Sequence, residues 1–175
     1  QELRARKLDL VIGRIPLRPA PEDLSIEIPF DEPIFVVAGT GNHWARRRQM
    51  VLADLVDEPW VLPPQGSAIG SYIAEAFRAS SLDYPGRVAV SSSLQFTYAL
   101  VATGRYLGTF PGSLLHFGGK RYALKVLPIT LPGDPPPVSM VTLKNRTLAP
   151  AAKLFIDCIR GIAKSLATRS KRPLR

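Results

Sequence analysis

The sequence predicts an α/β protein, and three observations support this fold class. Short apolar and β-branched runs, typical of buried strands, alternate along the chain with segments of helical period. The stretch from Val90 to Pro111, VSSSLQFTYALVATGRYLGTFP, has the pattern strand, helix, strand, which predicts two parallel strands joined by a right-handed crossover. The 175 residues are 46% hydrophobic, and this is enough to bury a full core.

Seven segments are predicted to be strands because each is a short run of apolar and β-branched residues. They are Leu8 to Gly13, Pro33 to Ala38, Trp60 to Pro63, Arg87 to Ser91, Tyr106 to Pro111, Leu124 to Ile129 and Val138 to Lys144. Two other segments are predicted to be surface loops. Pro16 to Pro33 carries five prolines without a helical period, and Leu131 to Pro137 consists almost entirely of turn residues.

Two shorter helices are predicted from the spacing of apolar residues and from signals at their ends. Ala68 to Ser80 has apolar residues at helical spacing, and Ser67 is its expected N-cap. Leu94 to Thr103 is apolar on most sides and stops at Gly104, a residue type common just after helices. Each helix therefore begins beside serine residues that follow a predicted strand.

The longest helix is predicted from about Pro150 to Leu166, since proline suits the first position of a helix. Its apolar residues fall on one stripe and its charged residues lie opposite. The only cysteine, Cys158, lies within that stripe, which favours a packing role over a reactive one. The stripe consists of Leu154, Phe155, Cys158, Ile159, Ile162, Ala163 and Leu166.

The order of these segments predicts two lobes, one inserted into the other. Residues 39–126 form a block with strands and helices of its own, so residues 1–38 and 127–175 are expected to fold together as the other lobe. Such an arrangement has two chain crossings and a cleft between the lobes, where small-molecule sites usually lie.

Composition excludes several classes of protein. No apolar run approaches the roughly 20 residues that span a bilayer, and the first residues, QELRARK, have no apolar secretory core. A single cysteine forms no internal disulfide and supports no cysteine-rich metal site, so a cytoplasmic setting is expected. Phosphate-binding and dinucleotide-binding glycine motifs are absent, and no cofactor or metal is implied.

The net charge of +9 suggests a nucleic-acid partner, but its distribution weakens that interpretation. Four of the basic residues lie in the tail from Arg169 to Arg175, and a second cluster, Arg46 to Arg48, lies in a polar loop. Aromatic residues do not alternate with these cations, and zinc-finger and RNA-recognition spacings are absent. A solvated basic surface is therefore favoured over a nucleic-acid groove.

The sequence offers few residues for catalysis. His43 and His116 are the residues that could act as a base at neutral pH, and neither belongs to a catalytic triad or a zinc-ligand spacing. Asp57 and Glu58 are neighbours on an extended chain, so their side chains point in opposite directions and make a poor acid–base pair. Binding without turnover is the favoured hypothesis. The enzyme alternative requires an acid or base in the cleft.

The candidate binding groups lie where two predicted strands are followed by helices. They are Pro64, Gln65, Gly66 and Ser67 in the first turn and Ser91, Ser92 and Ser93 in the second. Unpaired N–H groups at two helix amino ends, together with hydroxyls, suit a carboxylate or a polyhydroxy compound. Arg14, just after the first predicted strand, is expected to add a cation from the other lobe. The alternatives are that Ser93 only caps its helix and that Arg14 is a solvated loop charge.

Five motifs in order resemble the effector-binding region of LysR-type transcriptional regulators. They are RARKLDLVIGR, PIFVVAGTGNHWARRR, LADLVDEPWVLPP, VSSSLQFTYALVATGRYLGTFP and a final strand with a long helix. The resemblance covers essentially the whole chain. The block NHWARRR departs from the family pattern, because His43 stands where proline is often found, and this departure is expected to affect only a loop turn.

The resemblance implies a periplasmic-binding-protein-like fold, with two Rossmann-like lobes and a small effector in the cleft between them. It also implies that the first lobe is incomplete here, because the family has further strands and a helix ahead of LDLVIG. The positions that match the cleft of the family are Arg14, the turn from Pro64 to Ser67, the corner from Ser91 to Ser93, and Thr109.

The resemblance implies partners as well. These are a small-molecule effector, other copies of the chain in a homodimer or homotetramer, and DNA contacted only through an amino-terminal winged helix-turn-helix that is absent from this sequence. No membrane partner is implied. The alternative on the same architecture is a periplasmic solute-binding protein of a transport system, which an upstream signal peptide would distinguish.

Overall fold

The computed structural model describes residues 2–15, 19, 21–30, 32–118 and 123–170. Contacts between Cα atoms divide the chain into two units, each formed from residues that lie close together. Among the described residues, unit 1 contains the chain up to Glu32 and again from Pro136, and unit 2 runs from Pro33 to Pro135. The chain therefore passes between the units twice, after Glu32 and before Pro136.

Unit 1 contains a three-stranded antiparallel sheet and the longest helix. Its strands are β1 (Leu10–Gly13), β2 (Leu24–Phe30) and β8 (Val138–Leu143), in the spatial order β1-β8-β2. Both outer strands pair antiparallel with β8. The helix α4 (Pro150–Ser170) lies against β2, and proline occupies its first position as predicted.

The prediction that Pro16 to Pro33 is only a surface loop was wrong, because β2 lies within this segment. The pairing of β2 with β8 shifts register between Glu27 and Phe30, and Pro29 lies at this irregularity. Proline is tolerated at the edge of a sheet or at a bulge, where its missing N–H costs no ladder hydrogen bond. The high proline content therefore concealed a strand in which apolar and polar residues otherwise alternate.

The helix α4 buries a different and narrower stripe than the sequence predicted. The buried positions are Ala152, Ile156, Ala163 and Leu166. Leu154, Phe155 and Ile162 remain at least half exposed, and Cys158 is exposed. The predicted packing role of Cys158 was therefore wrong within this chain. The reason is geometric, since a helix that rests on one edge of a small sheet covers fewer of its own positions than a helix held on two sides.

A bidentate ion pair connects α4 to β2. Arg160 Nε and Nη2 donate to Glu27 Oε1 and Oε2 at 2.9 and 2.8 Å. These hydrogen bonds are the largest cause that lowers the pKa of Glu27 below its ordinary value, while burial opposes the shift. The pair contributes stability above the ordinary pKa of a glutamate and loses it as the pH falls through the lowered pKa.

Replacing Glu27 with glutamine is expected to lower the melting temperature modestly at pH 7, since half-exposed ion pairs stabilise weakly. The difference from the parent protein should shrink as the pH falls below about 4, where the carboxylate of the parent protonates. Thermal melts over a pH series check this. Glu22→Gln, at an exposed carboxylate, is the matched control, and an equal loss in both variants at every pH would contradict the prediction.

Unit 2 is built on a five-stranded mixed sheet. Its strands are β3 (Ile34–Gly39), β4 (Trp60–Leu62), β5 (Val88–Val90), β6 (Leu107–Pro111) and β7 (Leu124–Val126), in the spatial order β5-β4-β6-β3-β7. Both β5 and β6 pair parallel with β4, which confirms that the two strands flanking the serine-rich corner run parallel. The strand β3 runs antiparallel to β6 and β7.

Helices cover both faces of this sheet. They are α1 (Ala68–Ala79), α2 (Leu94–Ala102), α3 (Gly112–Gly118) and two 3-10 helices, His43–Arg46 and Leu52–Leu55. Adjacent strand residues point to opposite faces. Trp60 and Leu62 thus pack with Phe77 of α1, whereas Val61 packs with Val101 of α2. In the part of the chain that the structure describes, no helix combines the length and apolar character needed to cross a membrane.

The boundaries between the units differ from those of the predicted division, 1–38 with 127–175 against 39–126. The strand β3, assigned by the sequence to the first lobe, pairs with β6 and β7 and so lies in unit 2. Residues 127–135 also belong to unit 2, where Leu127 N donates to Val36 O at 2.9 Å and Leu131 is buried in the core. The predicted assignment to lobes stays a prediction.

Candidate functional site

Two turns and one strand residue of unit 2 lie at one edge of its sheet. The strands β4, β5 and β6 are parallel and adjacent, so their carboxyl ends lie at the same edge. Ser91 N donates to Leu62 O at 2.9 Å, which joins the start of the serine corner to the end of β4. The structure therefore brings together the predicted residues of the turn 64–67, the corner 91–93 and the β6 residue Thr109. This edge is called the effector edge below.

The turn before α1 is fixed by backbone contacts. Ser67 Oγ accepts a hydrogen bond from Gly70 N at 3.1 Å and donates to Pro64 O at 2.7 Å, so Ser67 is the N-cap that the sequence predicted. A Cβ on Gly70 would lie 2.0 Å from Pro64 O. Gly66 is exposed, and a Cβ there would meet nothing within 4 Å. The lack of a Cβ at Gly70 therefore lets the backbone of Pro64 pack against α1. The space beside Gly66 is open.

Gln65 has a neighbour that the sequence did not indicate. Its carbonyl oxygen accepts a hydrogen bond from Ser71 Oγ at 2.7 Å, and its side chain hydrogen-bonds with Tyr84. Burial raises the pKa of the Tyr84 phenol, and the hydrogen bond with Gln65 opposes this rise. Tyr84 follows α1 and carries no local motif, so only the three-dimensional fold could place it near the turn.

The three serines of the corner have different hydrogen bonds. Ser93 Oγ accepts from Phe96 N at 3.3 Å, which confirms that Ser93 caps α2. Ser91 Oγ accepts from Ser93 N at 3.1 Å and so stabilises the corner itself. Ser92 is exposed, and among the residues that the structure describes its hydroxyl has no hydrogen-bond partner. Ser92 is therefore the serine whose side chain is available to a ligand.

Thr109 lies inside β6, where it pairs with Val36 of β3 and is 7% exposed. Within the described ranges its side chain has no hydrogen-bond partner. Thr109 is thus a nearly buried polar residue on β6, the strand that pairs with β4.

Arg14 belongs to unit 1, whereas the other predicted site residues belong to unit 2. Its Nη2 donates to Glu32 O and to Glu32 Oε2, both at 3.0 Å, and its Nη1 donates to Pro136 O. Both side chains are nearly buried, at 11% and 8% exposure. The solvated-charge alternative for Arg14 is therefore wrong, because its guanidinium is held by the two segments at which unit 1 ends. A direct contact between Arg14 and an effector stays a prediction.

Other features of unit 2 do not add to this site. His43 Nε2 lies 3.9 Å from Glu58 Oε1, just before β4, at the end of the sheet opposite the serines. A shallow groove of about 350 Å³ is lined mainly by apolar residues such as Met50, Leu82 and Ile129, and none of the predicted site residues lines it. The effector edge is therefore the candidate site that the polar groups define.

The architecture matches solved effector-binding domains of transcriptional regulators. It superposes on the effector-binding domain of QuiR in complex with shikimate with a TM-score of 0.70 and 22% identity, covering 94% of this chain and 76% of that chain. The effector-binding domain of BenM with benzoate gives a TM-score of 0.70 and 19% identity over 98% of this chain and 76% of that one. The predicted α/β, periplasmic-binding-protein-like fold class is confirmed.

The chain belongs to the family described as the LysR substrate binding domain, whose model matches residues 1–163. Curated relatives include the HTH-type transcriptional regulators GbpR of Azospirillum brasilense and GalR of Pseudomonas putida. The first is 26% identical over 97% of this chain and 50% of that protein, and the second is 27% identical over 92% of this chain and 40% of that protein. The chain spans about half the length of the curated relatives it matches.

Proposed function

We propose that this chain binds a small carboxylate effector at the effector edge of unit 2 and thereby controls transcription. Control would act through a DNA-binding segment outside this sequence, in a cytoplasmic homo-oligomer. The observation that carries the proposal is the convergence of two helix amino ends and the unpaired Ser92 hydroxyl at one sheet edge, in a chain of the LysR family. The solute-binding alternative is not favoured, since the curated relatives are regulators.

The class of ligand follows from the chemistry of the edge. A carboxylate suits the unpaired N–H groups and the partial positive charge at the amino ends of α1 and α2. Shikimate and benzoate, the compounds bound by QuiR and BenM, are both carboxylates. The proposed contacts are Pro64, Gln65, Gly66, Ser67, Ser91, Ser92, Ser93 and Thr109, with Arg14 as a further predicted contact.

The proposed mechanism is binding without turnover. An effector shifts the equilibrium between two conformations only as far as its affinity for them differs, and no chemical step is needed. The effector edge supports this, because its side chains are serines, a threonine and Gln65, whereas His43 lies at the other end of the strands. None of these groups at the edge titrates near neutral pH, as a general base would.

A thermal-shift screen of carboxylates, sugar acids and neutral sugars tests the proposal. At a ligand concentration 100 times Kd, binding to the folded state adds about 2.7 kcal/mol, which raises the melting temperature by roughly 5–10 °C in a protein of this size. A carboxylate should give the largest shift, and the matched neutral compound should give little or none. Nuclear magnetic resonance of the same mixtures should show the ligand unchanged.

Substitutions at the effector edge test whether the ligand binds there. Ser92→Ala should weaken binding about 3–10-fold through the loss of one hydrogen bond. Gly66→Leu should abolish binding while the protein still folds, since the new side chain extends into open space at the turn. Ser165→Ala, at an exposed position of α4, is the control. A shift that persists unchanged in Gly66→Leu would refute this site.

A further inference from the structure

Positive charge is concentrated at the end of the unit 2 sheet opposite the effector edge. The amino ends of β4, β5, β6 and β7 and the carboxyl end of β3 all lie there. Six cations lie in or near the segments that form this end of the sheet: three in the loop between β3 and β4, two just before β5 and β6, and one within β7. They are Arg46, Arg47, Arg48, Arg87, Arg105 and Lys125, and this set is called the basic edge below.

Specific contacts hold the basic edge together. Asn42, which caps the 3-10 helix His43–Arg46, donates through Nδ2 to Gly104 O at 2.8 Å. Gly104 has a φ of +77° and packs closely on the backbone of residues 41 and 42, so a larger residue there would be strained. These contacts bring the loop that carries Arg46 to Arg48 beside Arg105.

Within the described ranges, the cations of the basic edge differ from five arginines elsewhere in the chain, because those five have acidic partners. The five pairs are Arg4–Asp23, Arg14–Glu32, Arg78–Glu75, Arg146–Asp9 and Arg160–Glu27. Within the described ranges, none of the six cations of the basic edge forms an ion pair, and all six are exposed. The basic edge therefore presents charge that internal contacts do not neutralise.

Carboxylates near the basic edge do not cancel this charge. They are Asp54, Asp57, Glu58 and Asp83, fewer than the six cations. Asp54 accepts a hydrogen bond from Val51 N at 2.9 Å, and Glu58 lies 3.9 Å from His43. Asp54 and Glu58 thus already have neighbours within unit 2, and the six cations outnumber the four carboxylates.

We propose that the basic edge binds the phosphate backbone of DNA without reading its sequence. Arginine forks match phosphate oxygens in a bidentate way, and phosphate contacts carry no sequence information. An acidic protein surface fits less well, because a protein interface usually has an apolar centre. Beside the basic edge, Val51 is a large exposed apolar residue, and one such side chain does not form an apolar centre. The choice of DNA rests on the proposed function, in which a DNA-binding segment holds DNA near this chain.

Fluorescence anisotropy with a labelled duplex of about 30 base pairs and arbitrary sequence tests the proposal. The chain should bind weakly, with a Kd near 10⁻⁵ M, and the logarithm of its affinity should fall with the logarithm of salt with a slope of about −3 to −5. The triple variant Arg46→Gln, Arg47→Gln, Arg48→Gln should bind at least 10-fold more weakly at 50 mM salt, with a slope shallower by about 2 to 3.

Two controls separate the basic edge from net charge and from the basic tail. Lys7→Gln, Lys144→Gln and Lys153→Gln together remove the same charge from unit 1 and should change the affinity less than 2-fold. Replacement of Arg169, Lys171, Arg172 and Arg175 with glutamine tests the tail. Equal losses in the lysine variant, loss of all binding in the tail variant, or tighter binding of polyglutamate than of DNA would each overturn the proposal.

A second variant and measurements of thermal stability separate a loss of DNA contacts from a loss of folding. Arg87→Gln with Arg105→Gln is a second variant of the basic edge, and it should also weaken DNA binding and flatten the salt slope. Thermal melts should be unchanged in both variants, since the altered side chains are exposed and unpaired in the described ranges. The effector thermal shift should be unchanged too, so a failure of the DNA experiment is distinguishable from a failure of the proposed function.

Discussion

Replacing Gly70 with alanine should destabilise the protein by about 3 kcal/mol, which corresponds to a melting temperature lower by roughly 6–12 °C. A Cβ at this position would lie 2.0 Å from Pro64 O, 2.6 Å from Pro64 C and 2.9 Å from Gln65 Cα. All three are backbone atoms, so no rotation of a side chain relieves the contact. The turn itself must move.

The same substitution should weaken effector binding at least 10-fold, because it displaces the turn that is proposed to contact the ligand. Gly66→Ala is the matched control, since a Cβ there meets nothing within 4 Å, and its melting temperature should stay close to that of the parent. Thermal melts with and without ligand measure both effects. A melting temperature for Gly70→Ala equal to that of Gly66→Ala would contradict this account.

Local sequence signals were sufficient for most elements of unit 2. Ser67 and Ser93 each follow a short apolar run and precede a helical apolar pattern. Ser67 caps its helix as predicted, and Ser93 caps α2, the role that the sequence offered as the alternative to ligand binding. The contact that makes Gly70 necessary was not visible, because it depends on the distance between a helix and the preceding turn. A glycine inside a helical pattern was the available signal, since glycine disfavours helix and is usually retained there for a reason of packing.

Replacing Arg14 with methionine should lower the free energy of unfolding by about 3 kcal/mol, since it leaves the nearly buried carboxylate of Glu32 without its cation. The change also removes donors to the carbonyl oxygens of Glu32 and Pro136. Glu32 is the last residue of unit 1 before the chain enters unit 2, and Pro136 is the first residue of unit 1 after the chain leaves unit 2. Urea unfolding monitored by circular dichroism measures the loss.

Two further variants identify the cause of that loss. Arg4→Met removes an exposed ion pair with Asp23 and should change the unfolding midpoint little, because solvent screens such pairs. Arg14→Met combined with Glu32→Leu should recover part of the stability, since no buried charge is then left unpaired. If the double variant is less stable than Arg14→Met alone, the buried-charge explanation is wrong.

In unit 1, the contacts of Arg14 could not be predicted from the sequence. Glu32 and Pro136 lie 18 and 122 residues away along the chain, so no spacing rule connects them to Arg14. The strand β2 was missed for a different reason. Proline normally argues against a strand, but β2 is an edge strand whose register shift accommodates Pro29.

The candidate site was predictable in position but not in detail. The order of strands, turns and helices placed the serines at the carboxyl end of β5, and the structure puts them beside the turn after β4. Sequence alone could not distinguish the three hydroxyls. Their roles depend on backbone geometry, which leads Ser91 and Ser93 to bond within the corner and leaves Ser92 open.

The exposed position of Cys158 on α4 has a consequence for experiments on subunit assembly. It is the only thiol of the chain, and thiols of two molecules can join through oxidation or exchange. A band of doubled mass on a non-reducing gel would then report covalent cross-linking and not native association. Sedimentation of a Cys158→Ser variant in reducing buffer separates the two, because only non-covalent assembly survives there.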